Sequence, residues 1–138
     1  MAGYSGTPLS QKLGLKAGHR IAMRNAPASL PAALGDLPDG ARVVRDGRSQ
    51  LDVALLFVTS AAELEREFSR WAARLVPAGM LWVGWPKRAS KVPTDVTEDV
   101  ARRIGLAAGL VDVKVCAIDD VWSGLKFVRR LMDRPGAT

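Results

Sequence analysis

The chain is short of the residues from which most catalytic and metal centres are built. Its 138 residues include one histidine, His19, and one cysteine, Cys116. A lone cysteine forms no internal disulfide, so the sequence suits a reducing cytoplasm. One imidazole and one thiol cannot assemble a zinc site of common type. Cys116 itself has two readings, a small apolar residue in a strand or a reactive thiol. There is no P-loop, and the Ser-Gly pair in WSGL lacks the nucleophile-elbow pattern. No apolar run reaches the roughly 18 residues that span a bilayer, and MAGYSGTPLS has no apolar stretch like that of a signal peptide. Repeats, low-complexity tracts and long linkers are missing too. One domain over residues 1–138 is therefore expected, with residues 1–18 as an N-terminal arm and short helix, no membrane contact, and an ordinary globular balance of 48% apolar and 25% charged residues.

Acidic residues are missing from one place in particular. Residues 1–35 hold no Asp or Glu but carry Lys12, Lys16, Arg20 and Arg24, and a later segment adds Lys87, Arg88 and Lys91. The other basic and acidic side chains nearly cancel, so the net charge of +6 is concentrated in these two segments. If they meet in space they form one electropositive face suited to phosphate, carboxylate or nucleic acid. If they do not, the charge serves solubility.

What is present is an alternation of strand and helix signals. Residues 9–13 suggest a short helix stopped by Gly14, and residues 19–24 (HRIAMR) a first strand. A short helix over 29–34 precedes a second strand over 41–45. Residues 51–58 (LDVALLFV) are almost uninterruptedly apolar, as expected for a strand buried on both faces of a parallel sheet. Ser60 and Glu63 have capping-box spacing, and Leu64, Phe68, Trp71 and Leu75 mark one face of a helix closed by Pro77 and Gly79. Residues 80–85 (MLWVGW) form a fourth strand. Asp95 and Glu98 repeat the capping logic before a stripe of Val96, Val100, Ile104 and Ala107. Residues 111–118 and 121–131 then read as two strands joined at Asp119-Asp120, a hairpin. The expected fold is α/β: a three-layer Rossmann-like sandwich with a mostly parallel sheet and a C-terminal antiparallel β-hairpin.

This order of elements resembles a shortened class I methyltransferase fold, whose Rossmann-like sheet also ends in a β-hairpin. Three stretches, GYSGTPLSQKLGLKAGHR, WPKRASKVPTDVTEDV and GLVDVKVCAIDDVWSGLKFV, together resemble a bacterial family known only as a domain of unknown function. The resemblance covers nearly the whole chain. It implies a short, single-domain, cytoplasmic protein and brings no established reaction. Methyltransferases and dinucleotide-binding proteins place a Gly-rich turn after the first strand so that backbone can approach the cofactor. Here that turn is Arg24-Asn25-Ala26-Pro27, and no glycine follows until Gly35. Asp46, in RDGR, is the nearest acidic candidate for a ribose near the end of the second strand. No cofactor is therefore expected, neither S-adenosylmethionine nor NAD.

Ligands of open α/β sheets bind beyond the carboxyl ends of the strands. That rule selects Asn25, Ala26 and Pro27 after the first strand, Thr59 and Ser60 after the third, and Trp85, Pro86, Lys87, Arg88, Ser90 and Lys91 at the end of the fourth. The crevice is expected between the first and third strands, with Gly84 leaving room for close approach. Ser60 opens a helix whose unpaired amides favour anions, and the lysines supply charge. Each residue also has a plainer role, Ser60 as a cap, Trp82 and Trp85 as core, and Asp95, Glu98 and Asp99 as partners of a helix dipole. His19 opens the first strand, at the far end of the sheet from this crevice. Three functions stay open: binding of a small anionic metabolite or nucleotide-like ligand, a protein-interaction or regulatory module, and nucleic-acid binding through the basic face. The last lacks aromatic interleaving and a reading helix. Whether any reaction is catalysed is left undecided by these residues.

Overall fold

The computed structural model describes residues 8–134. The turn-rich arm expected before Pro8 lies outside them. The elements are α1 (Leu9–Lys12), β1 (Arg20–Arg24), α2 (Leu30–Leu34), β2 (Arg42–Val43), β3 (Leu51–Phe57), α3 (Ala61–Ala72), β4 (Leu75–Pro86), α4 (Glu98–Ala107), β5 (Leu110–Ala117) and β6 (Trp122–Arg129), with short 3-10 turns at Arg88–Ser90 and Leu131–Asp133. The six strands form one sheet in the order β2-β1-β3-β4-β6-β5. β2, β1, β3 and β4 run parallel, and β6 is antiparallel to both β4 and β5.

The central strands explain their own composition. On β3 and β4, Val53, Leu55, Phe57, Met80 and Trp82 pack with Leu9, Leu13, Leu30 and Leu34 on the α1–α2 face. Ala54, Leu56, Leu81, Val83 and Trp85 pack with Leu64, Phe68, Ala101 and Ile104 on the α3–α4 face. Residues 53–57 and 80–85 are all buried, so these stretches are apolar throughout. The half-buried Asp52 at the start of β3 accepts from Arg20 N. The result is a three-layer α/β sandwich of Rossmann type, with no described helix long and apolar enough to cross a membrane.

Local signals hold at the start of α3, where Ser60 Oγ accepts from Glu63 N at 3.0 Å. They fail at its end. The helix stops at Ala72, and the chain re-enters the sheet at Leu75, running through Pro77 and Gly79 as an irregular part of β4. Gly79 suits that path because a β-carbon there would lie 3.0 Å from Val76 O and 3.1 Å from Leu51 O. The α4 cap is Thr97, whose hydroxyl accepts from Val100 N, and Asp95 instead accepts from Ala61 N of α3 at 2.7 Å. Ala107 faces solvent, and Ala101, Ile104 and Gly105 form the buried stripe.

Arg129, at the end of β6, ties the α3–β4 connection. Its guanidinium donates to Ala72 O at 2.7 Å and to Leu75 O and Val76 O at 3.1 Å each. Ala72 O is a carbonyl that a helix end leaves without an intrahelical partner, and Leu75 O and Val76 O belong to the irregular start of β4. Arg129→Met is expected to cost about 2 kcal/mol, the order of a lost charged hydrogen-bond set. A urea midpoint unchanged from the parent would refute that role.

Candidate functional site

The carboxyl edge of the sheet is closed by its own polar groups. Asn25, just past β1, takes the left-handed conformation with φ 55°, so it supplies the turn that a glycine would otherwise provide. Its amide donates to Glu63 Oε2 at 3.2 Å, beside Arg24 Nη1 at 2.7 Å. Arg24 Nε also pairs with Glu67 at 3.3 Å, and Thr59 N donates to the other Glu63 oxygen at 3.4 Å. The Glu63 carboxylate thus gathers Asn25 and Thr59, two of the residues selected from sequence, and the Glu63 backbone amide donates to a third, Ser60; Glu63 itself was not among them. The amides of Ala61 and Glu63 at the start of α3 are taken by Asp95 and by Ser60 Oγ. Thr94 Oγ1 donates to Thr59 O at 2.7 Å, lacing the loop after β4 onto the same edge.

The β4 end is placed differently. Strand pairing continues through Pro86, opposite Trp122, so the loop begins at Lys87 rather than at Pro86. Trp85 is 6% exposed in the α3–α4 core and offers no stacking face. The room at Gly84 is filled by Phe57, whose ring would lie 2.8 Å from a β-carbon there. Lys87 Nζ donates to Asp119 O at 2.7 Å, and Ser90 Oγ donates to Lys87 O at 2.6 Å. Arg88 and Lys91 are exposed, with no ion-pair partner among the described residues.

Ala26 and Pro27 face a cleft of about 510 Å³ on the β1–β2 flank rather than a crevice between β1 and β3. The cleft exists because the chain passes from β2 to β3 without a helix. That crossover runs beside the end of α3, where Arg74 Nε donates to Ser49 O at 3.1 Å. Ala22, Val43 and Val44 make the cleft apolar, and Arg45, Trp71 and Arg74 line it. The Arg74 guanidinium sits over the Trp71 ring, 5.2 Å from its centroid. A second cleft of about 500 Å³ shares Gly47, Trp71 and Arg74 and adds Arg24, Glu67 and Arg70. A third, of about 360 Å³, lies between α3 and α4 around Phe68, Arg103 and Ile104.

Asp46 is turned into its own loop. Its carboxylate accepts from Arg48 N and Ser49 N at 2.8 Å each and from the Ser49 hydroxyl. Those bonds, with Arg74 3.5 Å away, hold its carboxyl well below the usual range. Arg45, by contrast, has no ion-pair partner among the described residues. The sequence places Arg45 at the end of the second strand, where the search was for an acidic residue and pointed to Asp46. The observed strand is shorter, Arg42–Val43, and nothing local joins Arg45 to Trp71 and Arg74. Trp71 and Arg74 also come from the opposite end of α3. Among the described residues no three His, Cys, Asp or Glu side chains are grouped to hold a metal ion. Burial pushes the Cys116 thiol up, away from the reactive thiolate, although Lys12 and Lys114 stand near it.

Comparisons with known proteins extend the fold. No protein-family model matches the chain, and no curated protein matches it. Among solved structures, it is similar to precorrin-6y C5,15-methyltransferase from Geobacter metallireducens, with TM-score 0.64, 11% identity, and 88% of this chain and 86% of that one covered. Magnesium protoporphyrin IX methyltransferase from Synechocystis, solved with bound S-adenosylmethionine, gives TM-score 0.59 and 12% identity over 88% of this chain and 74% of that one. A possible exported protein from Bordetella parapertussis gives TM-score 0.60 and 13% identity over 87% of this chain, which spans 64% of that protein's length. At these identities the likeness establishes the fold alone: a Rossmann-like α/β domain, shared with these methyltransferases.

Proposed function

We propose that this chain binds a small phosphate-bearing, nucleotide-like anion in the cleft on the β1–β2 flank, at the carboxyl end of β1. The observation that carries the reading is Arg45, a guanidinium without a carboxylate partner among the described residues, at the mouth of an apolar cleft. Ala26 and Pro27 form its upper end, and Trp71 with Arg74 offers a flat platform for a ring. Arg88 and Lys91 stand at the same carboxyl edge and raise the local anion concentration, which speeds capture, whereas Lys87 is turned to Asp119 O. Asn25, Thr59 and Ser60 hold that edge in shape through Glu63.

S-adenosylmethionine, which a fold neighbour carries, does not fit these residues. The turn after β1 is closed by Asn25 on Glu63, and an adenosine ribose needs an acidic acceptor at the end of the second strand. Arg45 stands there instead, and Asp46 is already engaged. Arginine at that place suits a phosphate in the way a carboxylate suits a ribose diol. No nucleophile or base lines the cleft, so the reading is binding without assigned catalysis.

A thermal-shift panel of nucleotides tests it, followed by calorimetry on the best ligand. At about a hundredfold excess over Kd, a true ligand stabilises by about 2.7 kcal/mol. Arg45→Ala is expected to weaken that ligand about tenfold or more, one charged hydrogen bond's worth. A panel with no stabilising phosphate compound, or an Arg45→Ala variant of equal affinity, would sink the proposal.

A second reading, a protein-interaction module, is favoured by the open edge of β5, where Val113 and Val115 are 53% and 48% exposed. Native mass spectrometry separates the two: a stoichiometric small molecule supports the first, a specific oligomer without one the second.

A further inference from the structure

The two basic segments of the chain do meet. Lys12 Nζ reaches Ala117 O at 3.5 Å and Lys87 Nζ reaches Asp119 O at 2.7 Å, so both close on the β5–β6 turn within two residues of each other. Below that turn, Lys114 of β5 and Lys126 of β6 are directly opposed in the strand register. Lys126 is itself opposite Trp82, which places this row on the α1 face of the sheet. Lys114 Nζ donates to Lys12 O at 2.9 Å. Lys126 Nζ lies over Gly14, 3.7 Å from where a β-carbon there would sit. Burial, with the charges of Lys114 and then Lys16, pushes the Lys126 ammonium below the usual lysine range.

The turn carries two carboxylates, Asp119 and the exposed Asp120, against five lysines, Lys12, Lys16, Lys87, Lys114 and Lys126. None of Lys12, Lys16, Lys87, Lys114 and Lys126 has a carboxylate partner among the described residues, and residues 1–7 and 135–138 contain no Asp or Glu. The Asp119 carboxylate accepts from Val121 N and Trp122 N, at 2.8 and 2.7 Å, and keeps its charge, so the row retains a positive excess. Like charges set directly opposite on a ladder destabilise it, and a bound anion would relieve the repulsion between Lys114 and Lys126.

The partner's chemistry follows from the form of the site. None of the three clefts described above has one of these lysines in its wall. Lys16 and Lys114 are exposed, and the row extends along a hairpin rather than around a hollow. Val115 pairs with Leu125, which packs in the α3–α4 core, so that valine is on the other face. Val113, at the register shift beside Lys114, is the one exposed valine of β5 left near the row. The lysine face therefore has charge without the apolar centre of a protein interface. Ammonium groups neutralise phosphates without reading base edges.

We propose that the row of Lys16, Lys12, Lys114, Lys126 and Lys87 is a sequence-independent surface for the phosphodiester backbone of a nucleic acid, separate from the small-ligand cleft.

The test is fluorescence anisotropy of the full chain with a labelled DNA duplex of mixed sequence. About four phosphate contacts give a log–log salt slope near −3.6, so binding should weaken about a hundredfold from about 50 to about 200 mM salt. In a K114A/K126A variant the slope should fall to about half, and the same salt step should cost only about tenfold. A control, R66A/R103A, removes the same charge from exposed positions on α3 and α4 and should leave the slope unchanged. An unrelated duplex sequence should bind equally. Circular dichroism checks the fold of each variant. Four results would overturn the proposal: no binding at low salt, equal losses in the control and the lysine variant, displacement by tripolyphosphate as effective per phosphate as by unlabelled duplex, or tighter binding of poly-glutamate. Because Arg45 and the cleft take no part, nucleotide binding and duplex binding can fail independently.

Discussion

Gly105→Val is expected to destabilise the protein by about 3 kcal/mol or more, the upper range of overpacking in a filled core. A β-carbon at Gly105 would lie 2.1 Å from Phe127 Cε2 and 2.6 Å from Cδ2 and Cζ. Phe127 cannot move aside. It is 0% exposed and stands edge-to-face with Phe68, ring centroids 5.1 Å apart at 86°. Interiors at crystal-like density transmit such a clash to backbone instead of absorbing it. Even Gly105→Ala, which adds about 1 kcal/mol of helix propensity, should be a net loss. The midpoint of urea unfolding should drop for both variants with little change in slope, and the valine variant should melt roughly 10 °C lower. A Gly105→Ala protein as stable as the parent would mean that α4 can lift from the sheet.

Trp82→Ala is expected to cost about 3 to 5 kcal/mol, the usual range for truncating a buried large aromatic. Trp82 is 1% exposed, and its indole donates to Leu13 O at 3.0 Å. It therefore does two jobs, filling the α1–α2 core and tying the end of α1 to the sheet. Trp82→Phe separates them. It keeps most of the apolar contact and leaves the Leu13 carbonyl without its donor, for a loss of about 1 to 2 kcal/mol. Because Lys12 and Lys16 flank that carbonyl in sequence, trypsin should cut the Trp82→Phe protein there sooner than the parent. Unchanged cleavage in Trp82→Phe would show that α1 is held by other contacts.

Both positions show where sequence reasoning reaches and where it stops. Gly105 sits inside a helical pattern in which a glycine reads as a weak point, and the ring it makes room for is on a strand that follows it in the chain. Trp82 reads correctly as core. The carbonyl it binds is 69 residues away in sequence, and no spacing predicts it. The candidate site divides in the same way. The rule for carboxyl edges found Ala26 and Pro27, which line the cleft, because that rule follows from topology. It passed over Glu63, Arg45, Trp71 and Arg74. Glu63 reads as a cap, Arg45 as the last residue of the second strand and Trp71 as part of a helix face, and only the crossover between β2 and β3 brings Arg45 to Trp71 and Arg74.

By itself the sequence determined the class of fold, since period and composition report burial residue by residue. The uninterrupted runs of β3 and β4 could only be strands covered on both faces, and Ser60 could start α3 with the groups on its own turn. Tertiary structure decided what depended on distant partners. It inserted β6 between β4 and β5, sent Asp95 to another helix, carried β4 back through Pro77 and Gly79, and brought Lys12 and Lys87 to one hairpin turn. In each case the deciding energy is a hydrogen bond, a packing contact or a charge pair between segments far apart in the chain. Local patterns fix how much of a side chain is buried, and only the folded chain fixes against what.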